Sequence, residues 1–225
     1  MRKPRLGLAA VGATVALLTG CGSLSPGTAV SVGDETISVS EVDGVTDDYC
    51  EAIEGQLEGN NQVVPNRYFR SGIAGQLAMR SIGEQLAAEY DAEPGRVYDR
   101  QVASLRSSVQ LLPEEVRDAV VQVETAAAYV ESIQASIGER LLAQEGEPEA
   151  PYSATVERGQ QEFRDWIEEN GVEFDPQLRL EMADGVPVPL DSSVSYPFSE
   201  AAQQGVADSP DQAYARGLPA TQRCG

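Results

Sequence analysis

From Pro113 to about Gln144 no further proline interrupts the chain, and no other stretch constrains the fold as strongly. Val116, Val120, Val123, Ala127, Val130, Ile133, Ile137 and Leu141 recur there at the spacing that lines up side chains on one face of an α-helix. At 1.5 Å per residue such a helix is about 45 Å long, more than a compact domain needs. Pro113 opens it, and Gly138 weakens it locally.

The flanking segments read as further helices with a little sheet. Ala29–Val32 and Thr36–Val39 alternate in period two around Gly33-Asp34, the pattern of a hairpin. Ser40 followed by Asp43 resembles a capping box and opens a helix marked by Val42, Val45, Tyr49, Ile53 and Leu57, which Gly59-Asn60-Asn61 ends. Pro65 starts a segment carrying Phe69, Ile73, Leu77, Ile82 and Leu86 and running to about Tyr90. Pro94 suits the first turn of a helix with Val97, Val102, Leu105 and Val109 on one face. Residues 145–151, rich in proline, glycine and acid, form a break. Ser153 to Asn170 is one more helix, with Phe163, Trp166 and Ile167 inward and Gly171 as its cap. Leu178–Met182 alternates as a strand, and the chain from Asp184 onward shows no pattern. The expected fold is therefore mainly α. Because a lone hairpin is barely stable in water, the 178–182 strand is expected to join the N-terminal hairpin in one small sheet.

The N-terminus reads as an address. Arg2, Lys3 and Arg5 precede an uncharged apolar run from Leu6 to Leu18, the layout of a secretory signal and too short for a comfortable membrane span. It ends in Leu18-Thr19-Gly20-Cys21, which looks like the lipobox of bacterial lipoproteins, where the cysteine is acylated and becomes the mature N-terminus. The expectation is a signal peptide over residues 1–20, a tether over 21–28, and a protein held to the extracytoplasmic face of the cell membrane by lipid on Cys21. With Cys21 acylated, Cys50 and Cys224 remain, and in an oxidising compartment they pair most simply with each other; two free buried thiols are the alternative.

Charge and composition narrow the chemistry. The chain carries 16 basic and 36 acidic residues, a net −20; three of the basic residues and none of the acids lie in the signal, which leaves 13 against 36, or −23. That balance opposes nucleic-acid binding, which needs a basic footprint. There is no histidine, so no Ser-His-Asp or Cys-His relay, no His-ligated metal and no imidazole acid or base can be built. Asp47, Asp48 and Glu51 cluster early in a helix, where acids are favoured by the helix dipole, and read as a solvated face. No cofactor and no catalytic residue is expected.

The run Val30-Ser31-Val32-Gly33-Asp34-Glu35-Thr36-Ile37-Ser38-Val39-Ser40-Glu41-Val42 resembles the opening hairpin and first helix of SurA- and PrsA-type extracytoplasmic folding factors. Gln76-Leu77 through Leu86 and Ala88, with the turn Asp91-Ala92-Glu93-Pro94, is similar to that family's second helix and turn. Phe174-Asp175-Pro176-Gln177-Leu178 looks like its returning strand, although Gln177 replaces the usual arginine and the following glycine is absent. The resemblance implies a helical, SurA-N-like chaperone domain over residues 29–183 that cradles exported chains, followed by an irregular extension over 184–225. Many members carry a parvulin prolyl-isomerase domain where this chain has only the 145–151 linker. Parvulin sites use histidines, so the isomerase activity does not carry over.

Tyr68, Phe69, Ile73 and Leu77 are the candidates for a client cradle, with core packing as their ordinary alternative. The expected function is a non-catalytic, membrane-anchored module that binds unfolded or exported proteins. The alternative is a scaffold lipoprotein that binds one fixed envelope partner through its long helix.

Overall fold

In the computed structural model, which describes residues 24–190, 198–207 and 211–225, the chain opens with two short strands and a capping serine. β1 (Thr28–Val32) and β2 (Glu35–Ser38) pair antiparallel across Gly33-Asp34. Gly33 adopts φ +55°, and a Cβ there would press on the Trp166 ring at 3.1 Å. Ser38 then caps α1 (Val39–Gly59), its Oγ accepting the Glu41 N–H at 3.1 Å. The cap thus falls before the expected Ser40, because Ser38 already has extended backbone and Ser38 with Glu41 supplies the Ser-x-x-Glu spacing. The expected signal segment and the expected lipobox at Cys21 lie outside the described residues.

Four helices build the body: α2 (Asn66–Glu89), α3 (Arg96–Ser108), α4 (Glu114–Glu145) and α5 (Tyr152–Asn170). α4 is the proline-free run. Glu114 and Glu115 sit in its first turn, where negative charge meets the positive end of the helix dipole, and Gly146 ends it at φ +95°. α3 buries none of its residues and lies along α4, with the Tyr98 ring edge-on to Tyr129 at 5.5 Å. Gly138, expected as a weak point, is instead where α4 meets α5. A Cβ on Gly138 would stand 1.8 Å from the Thr155 carbonyl oxygen, and one on Gly159 would stand 1.9 Å from that of Gln134. Two glycines, one per helix, let the antiparallel backbones touch at neighbouring turns.

The strand that joins the hairpin is not the expected one. β4 (Val172–Phe174), directly after the α5 cap at Gly171, pairs antiparallel with β1, giving the order β2-β1-β4. The expected strand forms β5 (Leu180–Ala183) and pairs with β6 (Val186–Pro189) across Asp184-Gly185. Both turn residues have positive φ, +52° and +82°, which suits a two-residue hairpin. A partner two residues away closes with less entropic cost than one across the molecule, so residues 180–183 pair locally. Between β4 and β5 a single 3-10 turn, Pro176–Leu178, is capped by Asp175, which accepts the Gln177 N–H at 2.8 Å.

The extension from Asp184, expected to be irregular, carries short regular elements where it is described. After β6 come α6 (Glu200–Val206) and α7 (Gln212–Gly217), and β7 (Arg223–Cys224) pairs with β3 (Val64–Pro65) just before α2. The Cys50–Cys224 disulfide fixes this end to α1. Gln212 bonds the Val63 backbone through both amide atoms, at 3.0 and 3.1 Å, and Arg216 donates to the Asn61 carbonyl at 2.7 Å. The segment is held by a covalent bond and side-chain-to-backbone contacts, neither of which leaves a hydrophobic period to read.

Val30, Val32 and Ile37 of the sheet meet Ile73, Leu77, Ile82 and Leu86 of α2, Ile133 and Ile137 of α4, and Phe163 and Trp166 of α5 in one core. The fold is mainly helical with a small antiparallel sheet, as expected.

Candidate binding groove

Ile73 and Leu77 are 2% and 4% exposed and belong to this core, so they line no open cradle. The apolar stripe of α2 that carries them faces inward. Phe69 is half-buried against Tyr49, ring centroids 6.0 Å apart, and Tyr68 donates its hydroxyl proton to the Ala207 carbonyl under the C-terminal segment. All four residues thus hold the molecule together, and the cradle expected at Tyr68, Phe69, Ile73 and Leu77 is not present as such. The long helix offers no free face of the kind a fixed partner would need along its whole length, because α1, α2, α3 and α5 all pack on it. Asp47 and Glu51 are exposed on α1, and among the described residues no group of His, Cys, Asp or Glu could hold a metal ion.

An open groove of about 730 Å³ lies elsewhere, between α2, α4, α5 and the β5–β6 hairpin. Each helix contributes one face: Gln76 and Met79 from α2, Ala127, Val130, Glu131 and Gln134 from α4, Val156, Gln160, Phe163 and Arg164 from α5. These positions are three or four apart within each helix, so each set shares a face. The hairpin tip supplies the remaining wall. Gly75 admits Pro187, whose Cβ would lie 3.3 Å from an added Cβ, and Gly185 rests on Arg164, whose Cγ would lie 2.8 Å from one. The glycine contact at Gly138 and Gly159 closes the α4–α5 seam at one end of the groove.

Met79, Val130 and Phe163 line the groove together with three carboxamides, those of Gln76, Gln134 and Gln160. Gln134 is 8% exposed. The side chains of Gln76, Gln134 and Gln160 make no hydrogen bond to any described residue. The charged groups are already engaged or sparse. Arg164 donates to Gln161 at 2.7 Å, and Glu131 accepts from Tyr152 at 3.0 Å. Burial, followed by the bond to Glu131, raises the Tyr152 pKa. No acid/base pair or nucleophile with an adjacent base lines the groove, and what the arrangement offers is neutral hydrogen-bonding capacity beside apolar side chains.

Around the site, tyrosine–carboxylate bonds tie the helices. Tyr49 of α1 donates to Glu124 of α4, and Tyr90 at the end of α2 donates to Glu162 of α5. Burial, then the Glu124 bond, pushes the Tyr49 pKa up to about 12. For Tyr90 the Glu162 bond leads and burial follows, with the same result of about 12. With 16 basic residues against 36 acidic ones, the chain has few cations to pair with its acids, and phenols serve instead.

Residue-level reading of the sequence missed the three glutamines. Their signal was their spacing, polar residues breaking the apolar stripes of three helices at positions that share a face. No protein-family model, curated protein or solved structure matches this chain.

Proposed function

We propose that this protein is a membrane-anchored extracytoplasmic lipoprotein that binds exported or unfolded chains reversibly and without catalysis. The observation that carries the reading is the groove: an open channel lined by apolar side chains and by carboxamides with no hydrogen-bond partner among the described residues. The Leu18-Thr19-Gly20-Cys21 lipobox supports the anchoring, and the Cys50–Cys224 disulfide suits an oxidising compartment. The ordered resemblance to SurA- and PrsA-type folding factors supports the chaperone role, and among the described residues no helix is long and apolar enough to cross a membrane. Contacts with a client would be weak and many, and the net −20 charge would keep complexes soluble. The test is suppression of aggregation of an unfolding substrate by the full-length chain purified in detergent. Suppression at a few-fold molar excess is expected, and its absence would refute the reading.

A further inference from the structure

We infer that the groove takes a stretch of extended polypeptide without acidic side chains and grips it by its main chain, through the carboxamides of Gln76, Gln134 and Gln160. This rests on the reading of the protein as a holder of exported chains and says where and by what chemistry the chain is held.

The starting point is Gln134. It is 8% exposed, and its amide has no hydrogen-bond partner among the described residues. No amide atom of Gln134 is among the buried, unpartnered side-chain atoms, so the amide of this otherwise buried residue opens to the groove and is free to bond a ligand's polar atoms. Gln76, half-buried, and Gln160, exposed, add a carboxamide each from the two neighbouring helices. A carboxamide carries two N–H donors and a carbonyl acceptor and no charge. The ligand that matches three such groups in succession offers donors and acceptors alternately, also without charge. A peptide backbone has that character, whereas a phosphate or carboxylate would call for cations.

The charges agree. Glu131 and Asp184 line the groove against one cation, Arg164, whose guanidinium is donated to Gln161, on a chain of net charge −20. Acidic side chains on the ligand would be repelled. Met79, Val130 and Phe163, which share the groove lining with the amides, accept apolar side chains of varied shape, and methionine adapts to them.

Strand addition, the usual way to hold an extended chain by its backbone, is closed to β6. The Leu190 N–H bonds the Arg179 carbonyl at 2.7 Å, which sets the alternation of the hairpin. Counting along β6 from that bond, Val188 and Val186 turn their N–H groups toward β5, and Pro187 and Pro189 occupy the outward positions. The outward edge therefore has no N–H to give, and proline blunts it against a further strand. Side-chain amides take over the role that a free edge would have played.

The test is fluorescence anisotropy with the full-length chain in detergent and a labelled octapeptide of Ala, Ser, Thr, Val and Leu. Saturable binding is expected. N-methylation of alternate backbone amides, which removes donors and leaves the side chains, should weaken it about tenfold. Gln76→Leu and Gln160→Leu, at positions that are not buried, should each weaken it about as much, and Gln134→Leu at least as much. Two Glu residues in the peptide should weaken it further. Equal binding of methylated and parent peptides, unchanged affinity in the folded Gln76→Leu and Gln160→Leu variants, or competition by oligomers of an N-acetylated sugar would overturn the inference. The aggregation assay, run on the same samples, separates the two readings. Suppression that survives the Gln substitutions overturns the groove assignment and leaves the chaperone role standing. Gln-dependent peptide binding without suppression does the reverse.

Discussion

Gly159→Ala places a methyl group where the structure has no room. The new Cβ would lie 1.9 Å from the Gln134 carbonyl oxygen, 2.4 Å from its carbon and 2.7 Å from its Cα, all backbone atoms that no rotamer change can move. Ordinary contact begins near 3.4 Å, so α4 and α5 must part by about 1.5 Å at their closest approach. A gap of 0.5–1 Å already forfeits a quarter to a half of each dispersion contact, and forced overpacking costs about 1–3 kcal/mol. Alanine returns roughly 1 kcal/mol through its higher helix propensity. Because the clash is with backbone and the seam runs through the core, the upper part of the range applies, and a net loss of about 2 kcal/mol is expected. Gly138→Ala meets the Thr155 carbonyl oxygen at 1.8 Å and should cost a similar amount. The double variant is the informative one: a single separation of the helices relieves both clashes, so its loss should fall well short of the sum. Urea denaturation of the wild type, both single variants and the double variant, with the denaturant slope held in view, measures all of this. Alanine variants that are neutral or more stable, as propensity alone demands, would refute the argument. So would strictly additive losses, which would mean that the two contacts are independent.

Three other outcomes are expected. Reducing the Cys50–Cys224 bridge, which spans 174 residues of sequence, or replacing Cys224 by Ser should cost up to about 5 kcal/mol on the chain-entropy model and open Arg216 and Arg223 to trypsin, read by mass spectrometry of the fragments. Tyr49 and Tyr90 have folded-state pKa values raised from 10.0 to about 12, so the proton is held more tightly in the native protein; the stability they contribute is complete below pH 10 and is lost as pH rises toward about 12. Urea midpoints should therefore hold steady up to pH 10 and fall above it, with the fall reduced in Tyr49→Phe and Tyr90→Phe. Cys21→Ser should abolish incorporation of radiolabelled fatty acid by cells making the protein, and undiminished labelling would remove the lipidation proposal.

The helices were legible because their period is carried by the residues themselves. The run from Pro113 to about Gln144 gives α4 to within a residue, and Phe163 and Trp166 are as buried as their spacing in α5 requires. Pairing was harder to read. Nothing in Leu178–Met182 states which strand it joins, and the nearby Val186–Pro189 wins because the loop to it is two residues long. The cradle failed for a similar reason: Ile73 and Leu77 look alike whether the α2 stripe faces a core or a client, and only the arrangement of neighbours decides. The cysteine pair was found by counting, which needs no geometry. The groove was out of reach of any one segment, since Gln76, Gln134 and Gln160 become neighbours only after three helices have packed.

The disulfide also sets an order of events. Cys50 lies in α1 and Cys224 in β7, so α2 through α7 all sit inside the covalent loop. The whole helical body must be synthesised before the second thiol exists to react. Until then its packing rests on noncovalent contacts, and oxidation can only lock an arrangement that the helices have already reached. A chain stalled between residues 50 and 224 carries Cys50 without its disulfide partner. Arrest leaves a chemical mark, and thiol-specific labelling of nascent chains would distinguish unfinished molecules from finished ones.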